Sequence, residues 1–155
     1  MTKTHQGSQE GARLRVGVVV SRFNSVVTER LLTGALEQLR RCGVKDESIE
    51  VVQVPGAFEI PLPVRLLADS GRVDAVVCLG AVIRGETPHF EYIASAVVHE
   101  ISRLMVEHRM PIALGVLTTD TVEQALERSG GRYGNKGAEA ASTAVEMANV
   151  GKTLG

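Results

Sequence analysis

The sequence carries four histidines, two cysteines and five aromatic rings, and the spacing of these side chains limits the chemistry open to them. His89 stands in IRGETPHFEYI, residues 83–93. Thr87 can serve there as a helix N-cap, with Pro88 at the first helical position and His89 in the first turn. A histidine so placed faces the positive end of the helix, which suits its neutral form to proton exchange. The same helix start offers free N–H groups to a phosphate. A plain polar first-turn residue is the alternative reading. His5 lies in a polar N-terminal stretch, and His99 and His108 fall about half a turn out of phase on one helix. HEISR, residues 99–103, is not the HExxH of a zinc hydrolase.

Phe23 follows an apolar run in SRFN, residues 21–24, and either packs over a sheet end or covers a ligand. In PGAFEIP, residues 55–61, a Pro-Gly turn leads into Phe58 and Glu59 just before a helix. Glu59 either caps that helix or accepts hydrogen bonds from a polyhydroxylated ligand whose heterocyclic part Phe58 covers. Arg128, Arg132 and Lys136 surround the glycine-rich run 130–137. They are either ordinary helix-end cations or the arginine fork and glycine loop that a phosphomonoester requires. No GxGxxG follows the first strand and no GxxxxGK[ST] occurs, so nucleotide hydrolysis is unsupported. No Ser-His-Asp or Cys-His pattern can be placed, and Cys78 reads as a buried strand residue.

The elements that must hold these side chains alternate along the chain. Almost continuously apolar, β-branched runs at 14–21, 49–54, 75–82 and 112–117 suit parallel strands covered on both faces. Between them lie helical patterns. Leu31, Leu32, Ala35, Leu36 and Leu39 form one stripe, ended near Cys42 by Gly43. A shorter helix spans 61–70 and stops at Gly71. The longest carries Ile93, Ala94, Val97, Val98, Ile101, Leu104 and Met105 and ends before Pro111. Two more are expected at 122–128 and 136–148, separated by a turn at 130–134. The economical topology is a three-layer α/β/α sandwich of flavodoxin-like type, a four-stranded parallel sheet with helices on both faces. Ligands in such folds sit outside the carboxyl ends of the strands, where the loops named above fall.

Composition narrows the setting. Seventeen Lys+Arg against eighteen Asp+Glu give a formal net charge of -1, with no field to recruit nucleic acid or anionic lipid. Cys42 and Cys78 form no CxxC, which suggests neither a disulfide framework nor a zinc site and suits a reduced cytoplasm. Residues 1–12 lack the apolar stretch of a signal peptide and read as a flexible tail before one domain at 13–155. No apolar run approaches the roughly 18 residues of a membrane span.

SRFN (21–24), VPGAFEIP (54–61), IRGETPHFEYI (83–93), GVLTTDTVEQALERSG (115–130) and GNKGAEAA (134–141) together resemble the lumazine synthase family. The similarity extends over essentially residues 14–150. It implies condensation of 5-amino-6-(D-ribitylamino)uracil with L-3,4-dihydroxy-2-butanone 4-phosphate, the penultimate step of riboflavin synthesis, without metal or organic cofactor. It further implies that Phe23 stacks on the pyrimidine and that Ala57, Phe58 and Glu59 hold the pyrimidine and ribityl chain. Ala81, Val82 and Ile83 line the heterocycle pocket, Glu86 and Thr87 meet the butanone phosphate, and His89 transfers protons. Leu114 and Arg128 come from the adjacent subunit, with Arg128 on the phosphate and Lys136 as a helper. Leu114 falls where many relatives have Phe, and Glu86 puts an acid beside the phosphate site, so its side chain is expected to turn to solvent.

The resemblance also implies a pentamer, twelve of which close into a sixty-subunit icosahedral shell, and association with riboflavin synthase. A catalytically idle flavin- or lumazine-binding shell protein of the same fold is the rival reading. An unrelated flavodoxin-like binding or signalling domain is a third. The pairing of His89 with Arg128 speaks for the enzyme, because a binding module needs no proton relay.

Overall fold

The computed structural model describes residues 1–155. Four strands, β1 (Val16–Ser21), β2 (Ile49–Val54), β3 (Ala75–Ile83) and β4 (Ile112–Thr119), pair in parallel in the order β2-β1-β3-β4. All of β1, and β3 up to its last residue, is buried, which is why these runs lack the alternation of a half-exposed strand. From β1 the chain steps to β2 on one side, then crosses back over β1 to β3 and on to β4. Right-handed crossovers then require α1 (Ser25–Arg41) on one face and α2 (Pro61–Ser70) and α3 (His89–His108) on the other.

The two cores show this division. Val16, Val18, Val20, Val77, Leu79 and Leu117 pack with Leu31 and Leu39 of α1. The alternate residues Val19, Val76, Cys78 and Val116 pack with Val64 of α2 and with Val97, Ile101 and Leu104 of α3. α4 (Val122–Glu127) and α5 (Lys136–Leu154) return to the α1 face through Ala125, Ala141 and Val145. A small antiparallel hairpin, β5 (Ser129–Gly131) and β6 (Gly134–Asn135), lies between them. The arrangement is the expected three-layer flavodoxin-like sandwich. Each buried Val or Leu contributes about 1.5–3 kcal/mol, and no aromatic ring is among the buried residues.

Helix ends follow their local chemistry. α1 is followed by Gly43 at φ 92 and α2 by Gly71 at φ 72, the left-handed conformation that glycine adopts without strain. α3 departs from expectation by one position, for Pro88, not Thr87, is the cap, at φ -73 and ψ 4, and no side chain caps the helix. The first amide to close a turn is that of Glu91, on the Pro88 carbonyl at 3.0 Å, which leaves Thr87 one position before the cap. α5 continues past the expected end at Ala148 to Leu154. Gly151 weakens this stretch by about 1 kcal/mol relative to alanine but no proline stops it, and the helix continues although the apolar pattern fades there.

The stretch 1–12, expected as a flexible tail, makes specific contacts from Gly7 onward. Gly7 and Gly11 are buried. Gln9 contacts Ser142, and Asn149 donates to the carbonyls of Ser8 and Glu10 at 2.9 and 3.0 Å. The amide of Gly11 donates to the Cys42 carbonyl at 2.7 Å.

Candidate active site

The sheet reverses its direction of growth between β1 and β3, and the crevice beyond the carboxyl ends of these two strands is where such a fold leaves room for a ligand. A cavity of about 790 Å³ opens there. Its first wall is the loop after β1. The amide of Arg22 donates to the Val54 carbonyl at 2.8 Å and that of Phe23 to the Pro55 carbonyl at 3.0 Å, so this loop prolongs the β1–β2 pairing. Asn24 then turns the chain in the left-handed conformation, φ 62 and ψ 48, and its side-chain amide donates to the Ala81 carbonyl at 3.1 Å. Phe23 is left 71% exposed, facing the cavity. The reading in which its ring packs over the sheet end is therefore not the one adopted.

A short 3-10 turn, Ala57–Glu59, builds the second wall after β2. Ala57 is buried beneath it, whereas Phe58 is exposed on the cavity side. The Glu59 carboxylate makes no hydrogen bond or ion pair, and no side chain caps α2, so Glu59 is not a helix cap here. Ala81, Val82 and Ile83, the end of β3, form the floor. The third wall is the β3–α3 connection with Gly85 and Thr87, followed by His89 as the first residue of α3. No backbone N–H from Gly85 to Phe90 is hydrogen-bonded within the chain, which leaves an array of donors beside the cavity.

Nine residues singled out from sequence thus converge: Phe23, Ala57, Phe58, Glu59, Ala81, Val82, Ile83, Thr87 and His89. Glu86 is exposed and unpaired and does not line the cavity. Leu114 lies midway along the edge strand β4, 38% exposed and off the cavity. Arg128 and Lys136 lie elsewhere again, together with Thr118, Tyr133 and Glu139, around a second hollow of about 420 Å³. Arg128 donates to the Gln124 carbonyl at 3.0 Å and stacks over Tyr133, its guanidinium carbon 5.0 Å from the ring centroid.

The cavity also includes Asn24, Phe90, Tyr92, Ile93 and Ala96. Tyr92, Ile93 and Ala96 share one helical face with His89 by their i, i+3, i+4 and i+7 spacing. That signal was available, but Ile93 also belongs to the stripe that covers the sheet. The guanidinium of Arg84 ion-pairs with Asp120 at 2.9 Å and Glu91 at 3.3 Å. The Asp120 hydrogen bond and charge push its pKa above the usual arginine value. Nowhere do three His, Cys, Asp or Glu side chains converge as metal ligands would.

Fold and cavity together define the class: a flavodoxin-like α/β protein with a mostly apolar pocket, an unpaired carboxylate and a histidine at the switch point of its sheet. Residues 13–152 match the family model for 6,7-dimethyl-8-ribityllumazine synthase. The chain belongs to that family of transferases, which make lumazine in riboflavin biosynthesis.

Proposed function

We propose that the protein condenses 5-amino-6-(D-ribitylamino)uracil with L-3,4-dihydroxy-2-butanone 4-phosphate to 6,7-dimethyl-8-ribityllumazine, releasing phosphate and water. The observation that carries this reading is the convergence of Phe23, Phe58, Glu59 and His89 on one cavity beside a run of unbonded N–H groups. The two rings would cover the pyrimidine, and Glu59 would accept hydrogen bonds from ribityl hydroxyls. The free N–H groups before α3 suit the phosphate. The aromatic amine attacks the ketone and loses water to give an imine, elimination expels phosphate, and after rearrangement the second amine attacks the remaining carbonyl and closes the ring with loss of a second water. Holding two intrinsically competent reactants together supplies much of the acceleration, and His89 relays protons.

Leu114, Arg128 and Lys136 are assigned to the cavity of an adjacent chain, with Arg128 stabilising the departing phosphate. Their placement off their own chain's cavity supports that assignment. The same reading gives a cytoplasmic pentamer, twelve of which close into a sixty-subunit shell able to associate with riboflavin synthase. Incubation with both substrates tests the chemistry through lumazine fluorescence and phosphate release. Neither signal from folded protein that still binds a flavin or lumazine would favour the idle shell.

A further inference from the structure

We infer that Arg84 is a positioning residue for the phosphate-bearing substrate, acting as the brace that shapes the β3–α3 connection without touching the ligand. The inference rests on the function proposed above and adds a residue to it.

Arg84 directly follows β3, and its backbone N–H donates to the Thr119 carbonyl at 2.9 Å, the last rung between β3 and β4. Beyond it the connection has almost no bonds of its own. From Gly85 to Phe90 no backbone N–H is paired, and the first to find a partner is that of Glu91, on the Pro88 carbonyl at 3.0 Å. A side chain on Gly85 would meet nothing within 4 Å. Yet this segment carries Thr87 and His89 into the cavity.

One side chain spans the gap. The Arg84 guanidinium donates through Nε to Asp120 at 2.9 Å, just past β4, and through Nη2 to Glu91 at 3.3 Å, in the first turn of α3. It also lies over the ring of Phe90, 5.1 Å from the centroid, and Phe90 lines the cavity. A planar fork can hold two carboxylates and a ring at once in a way an ammonium cannot. The first turn of α3 is thereby fixed relative to the end of β4, which sets where His89 and the free N–H groups stand. Both partners are acidic, so the guanidinium is already neutralised and lies outside the cavity lining.

A brace and a direct phosphate ligand predict opposite results when the carboxylates are removed. Steady-state kinetics on Arg84→Met, Arg84→Lys, Asp120→Asn and Glu91→Gln, varying each substrate in turn, reads the difference. For a brace, Arg84→Met and Asp120→Asn each lower kcat/KM for the butanone phosphate by about tenfold while KM for the pyrimidine stays near wild type. Arg84→Lys rescues only part of the loss. If Asp120→Asn or Glu91→Gln instead lowers KM for the phosphate, the freed arginine is a ligand and the brace is overturned. Equal loss toward both substrates, with a lowered Tm, overturns it as a general structural effect.

Amide hydrogen exchange gives a second readout that needs no turnover. The brace requires faster exchange over residues 85–92 in Arg84→Met and Asp120→Asn with the remainder of the sheet unchanged, and unchanged exchange there rejects it. Wild-type protein that makes no lumazine would reject the proposed reaction, while the exchange result would still decide the brace.

Discussion

The side-chain amide of Asn24 donates to the carbonyl of Ala81 at 3.1 Å, joining the loop that carries Phe23 to the strand end that floors the cavity. Asn24 does so from the left-handed region, which asparagine tolerates better than most residues. Asn24→Gly should lose the bond alone, about 1 kcal/mol, and Asn24→Ala should lose that plus a further cost of about 1 kcal/mol for the backbone. Urea unfolding of both variants checks the difference. Equal stabilities would mean that the backbone conformation costs alanine nothing.

His89 and Arg128 should differ in consequence. His89→Ala should slow single turnover by about a hundredfold and leave measurable activity, because proximity still operates. Arg128→Ala should cost more, about a thousandfold, by removing charge stabilisation at the leaving phosphate. Unchanged rates in both variants would refute the two assignments.

Leu114 and Arg128 stand away from the cavity formed by their own chain, and the proposed sharing of the site between chains is open to a mixing experiment. In a ring assembled at random from equal amounts of His89→Ala and Arg128→Ala chains, about a quarter of the sites would have both native residues. Reassembled mixtures should therefore regain roughly that fraction of wild-type activity, where either variant alone has little. No recovery would place the whole site within one chain. Sedimentation of the same preparations tests the shell, since a species of only five chains under assembly conditions would rule it out.

Gly137 sets a packing distance. A Cβ there would lie 2.1 Å from the Leu31 carbonyl oxygen, on the backbone of α1. Alanine is the better helix former by about 1 kcal/mol, but this contact cannot be relieved by turning a side chain. Overpacking should win, with Gly137→Ala less stable by about 2–3 kcal/mol in chemical unfolding. A stabilised variant would show that α1 and α5 part easily.

Asp74 gives the fold a modest acid sensitivity. Burial pushes its carboxyl up, but hydrogen bonds from the Arg15 side chain and backbone, with the charge of Arg15, more than offset this and hold it below 3.8. A depressed folded value means stability present above pH 3.8 and lost as pH falls further through the folded value. Asp74→Asn should cost less than about 1 kcal/mol at neutral pH, the pair being partly exposed, and the gap from wild type should close in acid. A gap independent of pH would exclude the charge as its source.

The strands and helices were legible where one local signal dominates. β2 and α2 have the bounds that their apolar run and the Gly71 stop suggest. The α3 cap was misplaced by one residue because Thr-Pro satisfies the usual N-cap pattern, whereas the first turn closes on the Pro88 carbonyl and the Thr87 side chain makes no cap. At the site, Phe23, Glu59 and His89 were legible from their places in loops after strands. The places of Tyr92 and Ala96 at the cavity and the pairing of Arg84 were not, since each depends on which face of α3 turns toward the cavity or on a partner far along the chain.

The contact between residues 7–10 and α5 fixes where the first anchored residues lie relative to the C-terminal helix. α5 runs opposite to the strands, so its last turns, where Asn149 binds Ser8 and Glu10, lie at the end of the sheet away from the cavity mouth. A tag or domain attached at Gly155 therefore leaves from the α1–α5 face, beside the point where residues 7–10 are held, and stays clear of the cavity mouth.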